Sequence, residues 1–519
     1  MTPLPQRLSW LPPLLICLAI GATASVLMGQ DANWDLRNYH LYNPFALLHG
    51  RLWRDLMPAG PQSYFNPLLD VPYYVLAVGP LAAWPRMLAA VAGLPFGLLL
   101  FATFSLADWV LDETGGPRRL LPWLAAAMGG TAAATVSEIG TTLNDIPVAA
   151  LVVGALAVGG PGCVLRPVRW RLFCAGAMVG AAVALKLTCL VLAPGVLLGF
   201  LLTATTWRTR LTVTVMFGAG AALMALLLAG PWAFMVAQRY GSPTFPLMNG
   251  LFHSDWYPPY DFYDRRFLPR STLQAWFYPF WWLRLNASLV SELPFRDARL
   301  SLAMLAVPVL LACSMRAEAS RRRRTLTLVA ASVLGYVLWL RMFSILRYAV
   351  ALEAFAGVLT VLALRELCAV MVPRLAAPVV ATLLLAALVW HTQVLDWWRV
   401  PYRDQVFDVD AVVLPPHSLV LATGQPVAMM IPFLDAPDMR AVGITNATLD
   451  ARGFRLYDET VGIIRHHDGP VFALVDQASD LSMVPAEAGV AFDPAQCRPI
   501  RNNITVAYTQ VMLCPARRR

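Results

Sequence analysis

Two aspartates four residues apart, Asp31 and Asp35, stand just beyond the first long apolar run of the chain, and Tyr39, His40, Tyr42 and Asn43 follow them. Residues four apart in a helical turn face the same way. Such a pair at the outer end of a membrane helix can take the proton from an acceptor hydroxyl as general base, or help hold a divalent cation. The structural alternative is a pair of solvated loop aspartates that end the helix. The neighbouring tyrosines, imidazole and amide favour chemistry, because ionisable groups at a membrane face mark functional sites. A second acidic group, Glu138 with Asn144 and Asp145, lies in SEIGTTLNDIP, where Asn144 or Asp145 could equally cap the helix that Pro147 opens. Lys186 in ALKLT and Arg347 in SILRYAV are cations next to apolar runs, suited to a lipid phosphate or to snorkelling towards headgroups. Arg265 and Arg266 could act in the same way.

These residues need a frame, and the frame is apolar. The chain has 519 residues, 58% hydrophobic and 14% charged, with a mean hydropathy of +0.58. Soluble domains carry about 25% charged residues, so most of this chain belongs in lipid. The net charge of +9 comes from short basic clusters between apolar runs, a topology signal rather than a nucleic-acid surface. Lys186 is the single lysine, and the eight cysteines show no metal-finger spacing. No phosphate-cradling glycine loop and no G-x-S-x-G is present, so a nucleotide-dependent reaction has no support, and the HHDG at His466 lacks ligand spacing.

Eleven runs are long enough to span or nearly so: Leu8–Gly29, Met87–Val110, Leu120–Val136, Ile146–Gly160, Leu172–Leu185, Thr188–Thr203, Leu211–Ala237, Leu300–Leu311, Leu326–Met342, Tyr348–Leu367 and Ala376–Val394. A bilayer core takes about 20 helical residues, so several must extend into their flanks. The first run exceeds a signal-peptide core and reads as a retained anchor. With the N-terminus cytoplasmic, the clusters at Arg118–Arg119, Arg166–Arg171, Arg208–Arg210, Arg316–Arg324 and Arg365–Arg374 all fall inside. The aromatic-rich loops 30–86 and 238–299 and the C-terminal tail then fall outside. The segment Gln30–Asp70 holds four aspartates, three arginines and two histidines, which no membrane helix tolerates. Tyr39–Leu52 has one helical apolar face, and Asn66–Leu81, broken by Pro67, Pro72 and Pro80, suits an interfacial helix.

After Val394 the pattern changes. Leu419–Thr423, Met439–Ile444, Val471–Val475 and Thr505–Leu513 read as strands of a small α/β domain, outside by topology. Cys497 and Cys514 flank the last of them, and a disulfide there suits a periplasmic compartment. The fold class expected is an all-α polytopic membrane protein of about eleven transmembrane helices over 1–395, with a small extracytoplasmic α/β domain over 396–519.

The order of these motifs resembles the GT-C superfamily of integral-membrane glycosyltransferases, closest to the protein mannosyltransferase and lipid A aminoarabinose transferase branch. That branch ends its first helix in an acidic residue, then has a Tyr, a small amphipathic helix ending in Gly, and a K-P-P-L-Y-Y-type segment. WDLRNYHLYNPFALLHG followed by FNPLLDVPYYVL is similar in order, with Asp35 at the acidic position. NDIP with Asp145, LKLT with Lys186, and Arg347–Tyr348 opening a late helix resemble three further elements of the branch. The resemblance covers 10–203 well and is one of topology beyond. It implies transfer of a sugar from a polyprenyl-phosphate donor to an envelope lipid, glycan or protein acceptor, at the outer face of the inner membrane. Asp35 would be the base, Asp31 and Asp145 would assist, and Lys186 and Arg347 would hold the lipid phosphate. Tyr39, His40, Asn66, Glu138, Arg265 and Tyr348 would line the substrate site. The branch pairs two acidic residues where Leu36 follows Asp35 here. Either Asp31 substitutes, or a divalent cation is not held, or the acceptor chemistry differs. A lipid or polysaccharide transporter would need polar residues distributed through its helices, and the runs carry few. A non-catalytic assembly protein would keep the loop tyrosines yet tolerate Asp35→Asn.

Overall fold

The computed structural model describes residues 10–112, 119–164, 169–261, 264–371, 376–505 and 510–519. Arg118, Arg166 and Arg374 of the basic clusters lie outside them.

Each apolar run is mainly helical over its described residues. The helices are α1 (Leu11–Met28), α2 (Leu94–Leu111), α3 (Leu121–Gly130), α4 (Asp145–Val164), α5 (Arg169–Leu185), α6 (Ala193–Thr203), α7 (Trp207–Leu228), α8 (Arg299–Arg316), α9 (Ala319–Met342), α10 (Val350–Met371) and α11 (Ala376–His391). Six spans among the described residues are long and apolar enough to cross a membrane, and shorter apolar helices accompany them. The short ones end where the sequence breaks them. At the end of α3 the pair Gly129–Gly130 has low helix propensity, Ala132 turns extended, and a separate short helix, Ala133–Ser137, begins. Lipid gives little hydrophobic drive between helices, so small residues set the close contacts. A Cβ on Gly21 of α1 would lie 2.4 Å from the Gly93 carbonyl oxygen.

One end of the bundle is basic. Arg324 pairs with Asp112 at 2.6 Å, Arg321 with Glu366 at 3.6 Å, and Arg365 donates to the Leu111 carbonyl at 2.6 Å. These contacts tie the end of α2 to the start of α9 and the end of α10. The loop 30–86 and the C-terminal domain occupy the other end.

In that loop two expectations give way to finer structure. Tyr39–Leu52 is not one helix but a π-helical turn at Leu36–His40, an α-helix at Tyr42–Leu48 and a 3-10 turn at Arg51–Trp53, with Leu48 facing out. Asp31 and Asp35 do not share a helical turn: Gln30–Asp31 is extended and pairs antiparallel with Arg399–Val400. The Asn33 side chain accepts from the Leu36 amide at 2.8 Å, so the helical turns begin only after it.

The C-terminal domain is an α/β sheet. Its strands are β1 (Leu419–Thr423), β2 (Arg440–Ile444), β3 (Val471–Val475), β4 (Val490–Phe492), β5 (Arg498–Pro499) and β6 (Met512–Arg518). The order is β2-β1-β3-β6-β4, with β5 on β6; β1 is parallel to β2 and β3, and β6 runs antiparallel to its neighbours. Residues 506–509 of the run Thr505–Leu513 lie outside the described residues; the last described strand overlaps its end and contains Cys514 instead of preceding it. Cys497 and Cys514 are joined in a disulfide. β1 is buried throughout, as a central parallel strand must be. Its alternation sends Leu419 and Leu421 to a core with Leu456, Val461 and Ile464, while Val420 and Ala422 meet Leu36, Tyr39 and Tyr42 of the first loop. Leu56 adds to the free edge of β2: its amide donates to the Ala441 carbonyl at 3.0 Å, and Gly443 donates to the Leu56 carbonyl at 2.8 Å.

Candidate functional site

The junction between the apolar helices and the first loop gathers residues from five parts of the chain. Asp35 opens the π-helical turn and is buried, at 7% exposure. Its carboxylate accepts from the Arg347 guanidinium at 2.6 Å and from the Tyr39 hydroxyl at 3.2 Å. Arg347 lies in a short 3-10 turn, Leu346–Ala349, that runs directly into α10. Asp145, the first residue of α4, pairs with Lys186 at 2.6 Å, and the ammonium also donates to the Leu143 carbonyl at 2.7 Å. Tyr348 joins the two pairs: Lys186 Nζ lies 5.4 Å and Arg347 Cζ 5.2 Å from its ring centre. His40 packs against Tyr39 with ring centres 4.0 Å apart and planes tilted by 38°, and meets Asp70 through Nδ1 at 2.7 Å. Asn144, at φ 67°, donates to Asp70 at 2.5 Å.

Burial pushes the Asp35 carboxyl up, but Arg347, then His40 and Lys186, outweigh it and leave it below the usual carboxylate range. Glu138 is the opposite case. Burial, with Asp145 adding to it, holds its carboxyl well above that range. Neither Glu138 oxygen has a hydrogen-bond partner, although the residue is only 2% exposed. The free oxygen of Asp145, His40 Nε2 and Arg347 Nε are likewise buried with no hydrogen-bond partner. Unmet polar atoms at this density ask for a polar ligand, because each buried donor or acceptor left unmatched costs about 1–3 kcal/mol.

Not every residue singled out in the sequence faces this cluster. Asp31 is a clamp: its oxygens accept from Asn33 Nδ2 at 2.8 Å and from the Thr142 amide and hydroxyl at 2.8 and 2.9 Å. It fastens the first loop to the Glu138–Asp145 turn. Asn66 donates to the Ala184 and Leu228 carbonyls at 3.1 and 2.9 Å and accepts from Leu68, so its amide is engaged by backbone. Arg265 is exposed beside the Arg266–Asp264 pair. The basic side chains already opposite Asp35 and Asp145 leave a donor set that suits an anion better than a resident cation. Among the described residues no three His, Cys, Asp or Glu side chains gather as metal ligands.

Three groups escaped the sequence reading. Asp70 closes the polar stretch but carries no motif. Arg399 donates to the Ser137 and Ile139 carbonyls at 3.0 and 2.7 Å from beyond the last apolar run. Asp297, Arg299 and Glu353 form a buried polar bracket behind Glu138. The one local signal for the bracket was a carboxylate inside an apolar run, at Glu353.

A multi-pass helical membrane protein with its polar cluster roofed by loop 30–86 and an α/β domain is the class that fold and site define. The fold is similar to that of ArnT. The crystal structure of ArnT from Cupriavidus metallidurans bound to undecaprenyl phosphate is similar over 98% of both chains, with a TM-score of 0.51 and 15% sequence identity. The apo structure of the same protein is similar over 97% of both chains, with a TM-score of 0.47 and 12% identity. No protein-family model matches the chain, and no curated protein matches its sequence.

Proposed function

We propose that this protein is a glycosyltransferase that moves a sugar from a polyprenyl-phosphate donor to a cell-envelope acceptor, with its site on the outer face of the inner membrane. The observation that carries the reading is two ion pairs with buried carboxylates and half-buried cations, Asp35–Arg347 and Asp145–Lys186, side by side around Tyr348. A phosphate entering between them competes with the two carboxylates for the two cations. Charge-assisted hydrogen bonds to the phosphate hold it as the leaving group, so no nucleotide is needed. When Arg347 turns to the phosphate, Asp35 loses the cation that keeps its pKa low and becomes a better base. It then takes the proton of the acceptor hydroxyl while that oxygen attacks the anomeric carbon and the bond from that carbon to the phosphate oxygen breaks. Tyr39 and His40 flank Asp35 on the acceptor side, and Asp145 returns to Lys186 when the phosphate departs.

The fold similarity to a protein crystallised with undecaprenyl phosphate supports the lipid-phosphate part of this reading. The basic clusters at the opposite end of the bundle support the orientation. The test is Asp35→Asn in cells: the isosteric amide inserts normally but cannot take a proton. Envelope lipid and glycan modification should be lost while protein level is kept, and wild-type product levels would remove Asp35 as the base.

A further inference from the structure

Behind Glu138 lies a set of charged groups that touch no site residue directly and are almost fully enclosed: Asp297 at 3%, Arg299 at 1% and Glu353 at 1% exposure. Charges inside a membrane protein are costly and persist where they act or where they fix structure. All three are fully engaged here. The short helix Ala133–Ser137 starts in the middle of the bundle, where water cannot satisfy its first amides. Asp297 accepts from the Ala133 amide at 2.9 Å, and Glu353 accepts from the Ala134 and Thr135 amides at 3.1 and 2.9 Å and from the Thr135 hydroxyl at 2.7 Å. Arg299 holds Asp297 at 2.6 Å and reaches the Met128 carbonyl at 2.6 Å and the Thr131 and Thr392 hydroxyls at 2.8 Å. The bracket therefore spans the break after α3 and pins both sides of it.

The residue directly after this helix is Glu138, with its two unpartnered carboxylate oxygens. The other end of the connection is equally specific. Glu353 sits in the first turn of α10, the helix that follows without interruption from Arg347 and Tyr348. One rigid element thus carries the cation that meets Asp35 and the carboxylate that caps the helix delivering Glu138.

We infer that Glu353, with Asp297, is a positioning residue for the proposed transfer reaction: it sets Glu138 in register with Arg347, and Glu138 contacts the sugar end of the donor while Lys186 and Arg347 take its phosphate. Two carboxyl oxygens without protein partners fit the hydroxyl groups of a sugar, which can both donate and accept hydrogen bonds. This rests on the reading in the preceding subsection.

The experiment uses the full chain with Glu138→Gln, Glu353→Gln and the double variant. Undecaprenyl phosphate binding is measured in nanodiscs, and transfer is measured as envelope modification in cells. Glu353→Gln should bind undecaprenyl phosphate within about twofold of wild type yet lose about ten- to a hundredfold in transfer, since small misplacements of reacting groups cost that much. Glu138→Gln should lose a similar factor, and the double variant should lose no more than Glu138→Gln alone, the non-additivity of residues acting through one another. Wild-type transfer in either single variant, or losses that multiply in the double, would overturn the inference. If Glu353→Gln fails to accumulate, Thr135→Ala, which removes only the hydroxyl contact, should show a smaller loss that again vanishes in the Glu138→Gln background. Wild-type protein that neither binds undecaprenyl phosphate nor modifies the envelope would instead remove the functional reading itself.

Discussion

Arg347 and Asp35 stand 312 residues apart in sequence and 2.6 Å apart in space, guanidinium against carboxylate, with Asp35 buried and Arg347 half-buried. Taking one partner from a buried pair leaves a charge without compensation, which costs about 3–5 kcal/mol. Arg347→Ala should lower thermal stability in detergent by an amount of that order, and adding Asp35→Asn should restore part of it, because the orphaned charge is gone. Equal stability of the single and double variants would show that the pair is not coupled.

The depressed pKa of Asp35 fixes the sign of a pH effect. Its folded value lies below the unfolded value of about 3.9, so its contribution is complete above that pH and is lost as pH falls through the folded value. Wild-type melting temperature should fall more steeply below about pH 4 than that of Asp35→Asn. Parallel curves would contradict the assignment.

Lys186 and Arg347 should weaken binding of undecaprenyl phosphate when either is changed to Ala. Charged hydrogen bonds of about 1.5–3 kcal/mol correspond to a rise in Kd of about ten- to a hundredfold. Lys186→Arg keeps the charge but not the point-like ammonium, and should retain part of the affinity. Unchanged affinity in both Ala variants would remove the phosphate site.

Glu138→Gln should raise melting temperature while lowering transfer. The carboxyl is held above its ordinary range by burial and Asp145, so ionising it weighs against the folded state as pH rises past the unfolded value of about 4.3. The amide removes that cost, and its gain over wild type should grow from pH 5 towards neutrality. A constant difference between the two proteins would argue against it.

Gly443 in β2 has no room for a side chain: a Cβ there would lie 1.9 Å from the Met57 carbonyl oxygen of the first loop. Gly443→Ala should loosen the seam between the loop and the C-terminal domain at a cost of about 1–3 kcal/mol, read by limited proteolysis of the loop. An unchanged cleavage pattern would show that the seam does not hold the loop.

The sequence by itself determined the elements. Apolar runs became helices because lipid leaves backbone groups no other partners, and β1 and β3 match the runs Leu419–Thr423 and Val471–Val475 because continuous apolar strands belong inside a parallel sheet. The cysteine pair was legible because both thiols lie in the polar C-terminal region, although Cys514 sits inside the strand it was expected to flank, and Asp35, Asp145, Lys186 and Arg347 were legible from charge next to apolar runs. The tertiary structure alone decided which charge meets which. A charge announces that it needs a partner, but the partner is set by how distant helices pack, and Arg347 found Asp35 where the sequence suggested a lipid phosphate. Asp31 looked like a second site carboxylate by spacing, yet the Asn33 cap delays the helix and turns Asp31 to Thr142. Glu353 went unread in the sequence because the amides it caps belong to a helix 218 residues away, broken from its predecessor at a glycine pair. Local pattern records what a residue prefers to be near; only the packed bundle, where unmet hydrogen bonds cost more than in water, fixes what it touches.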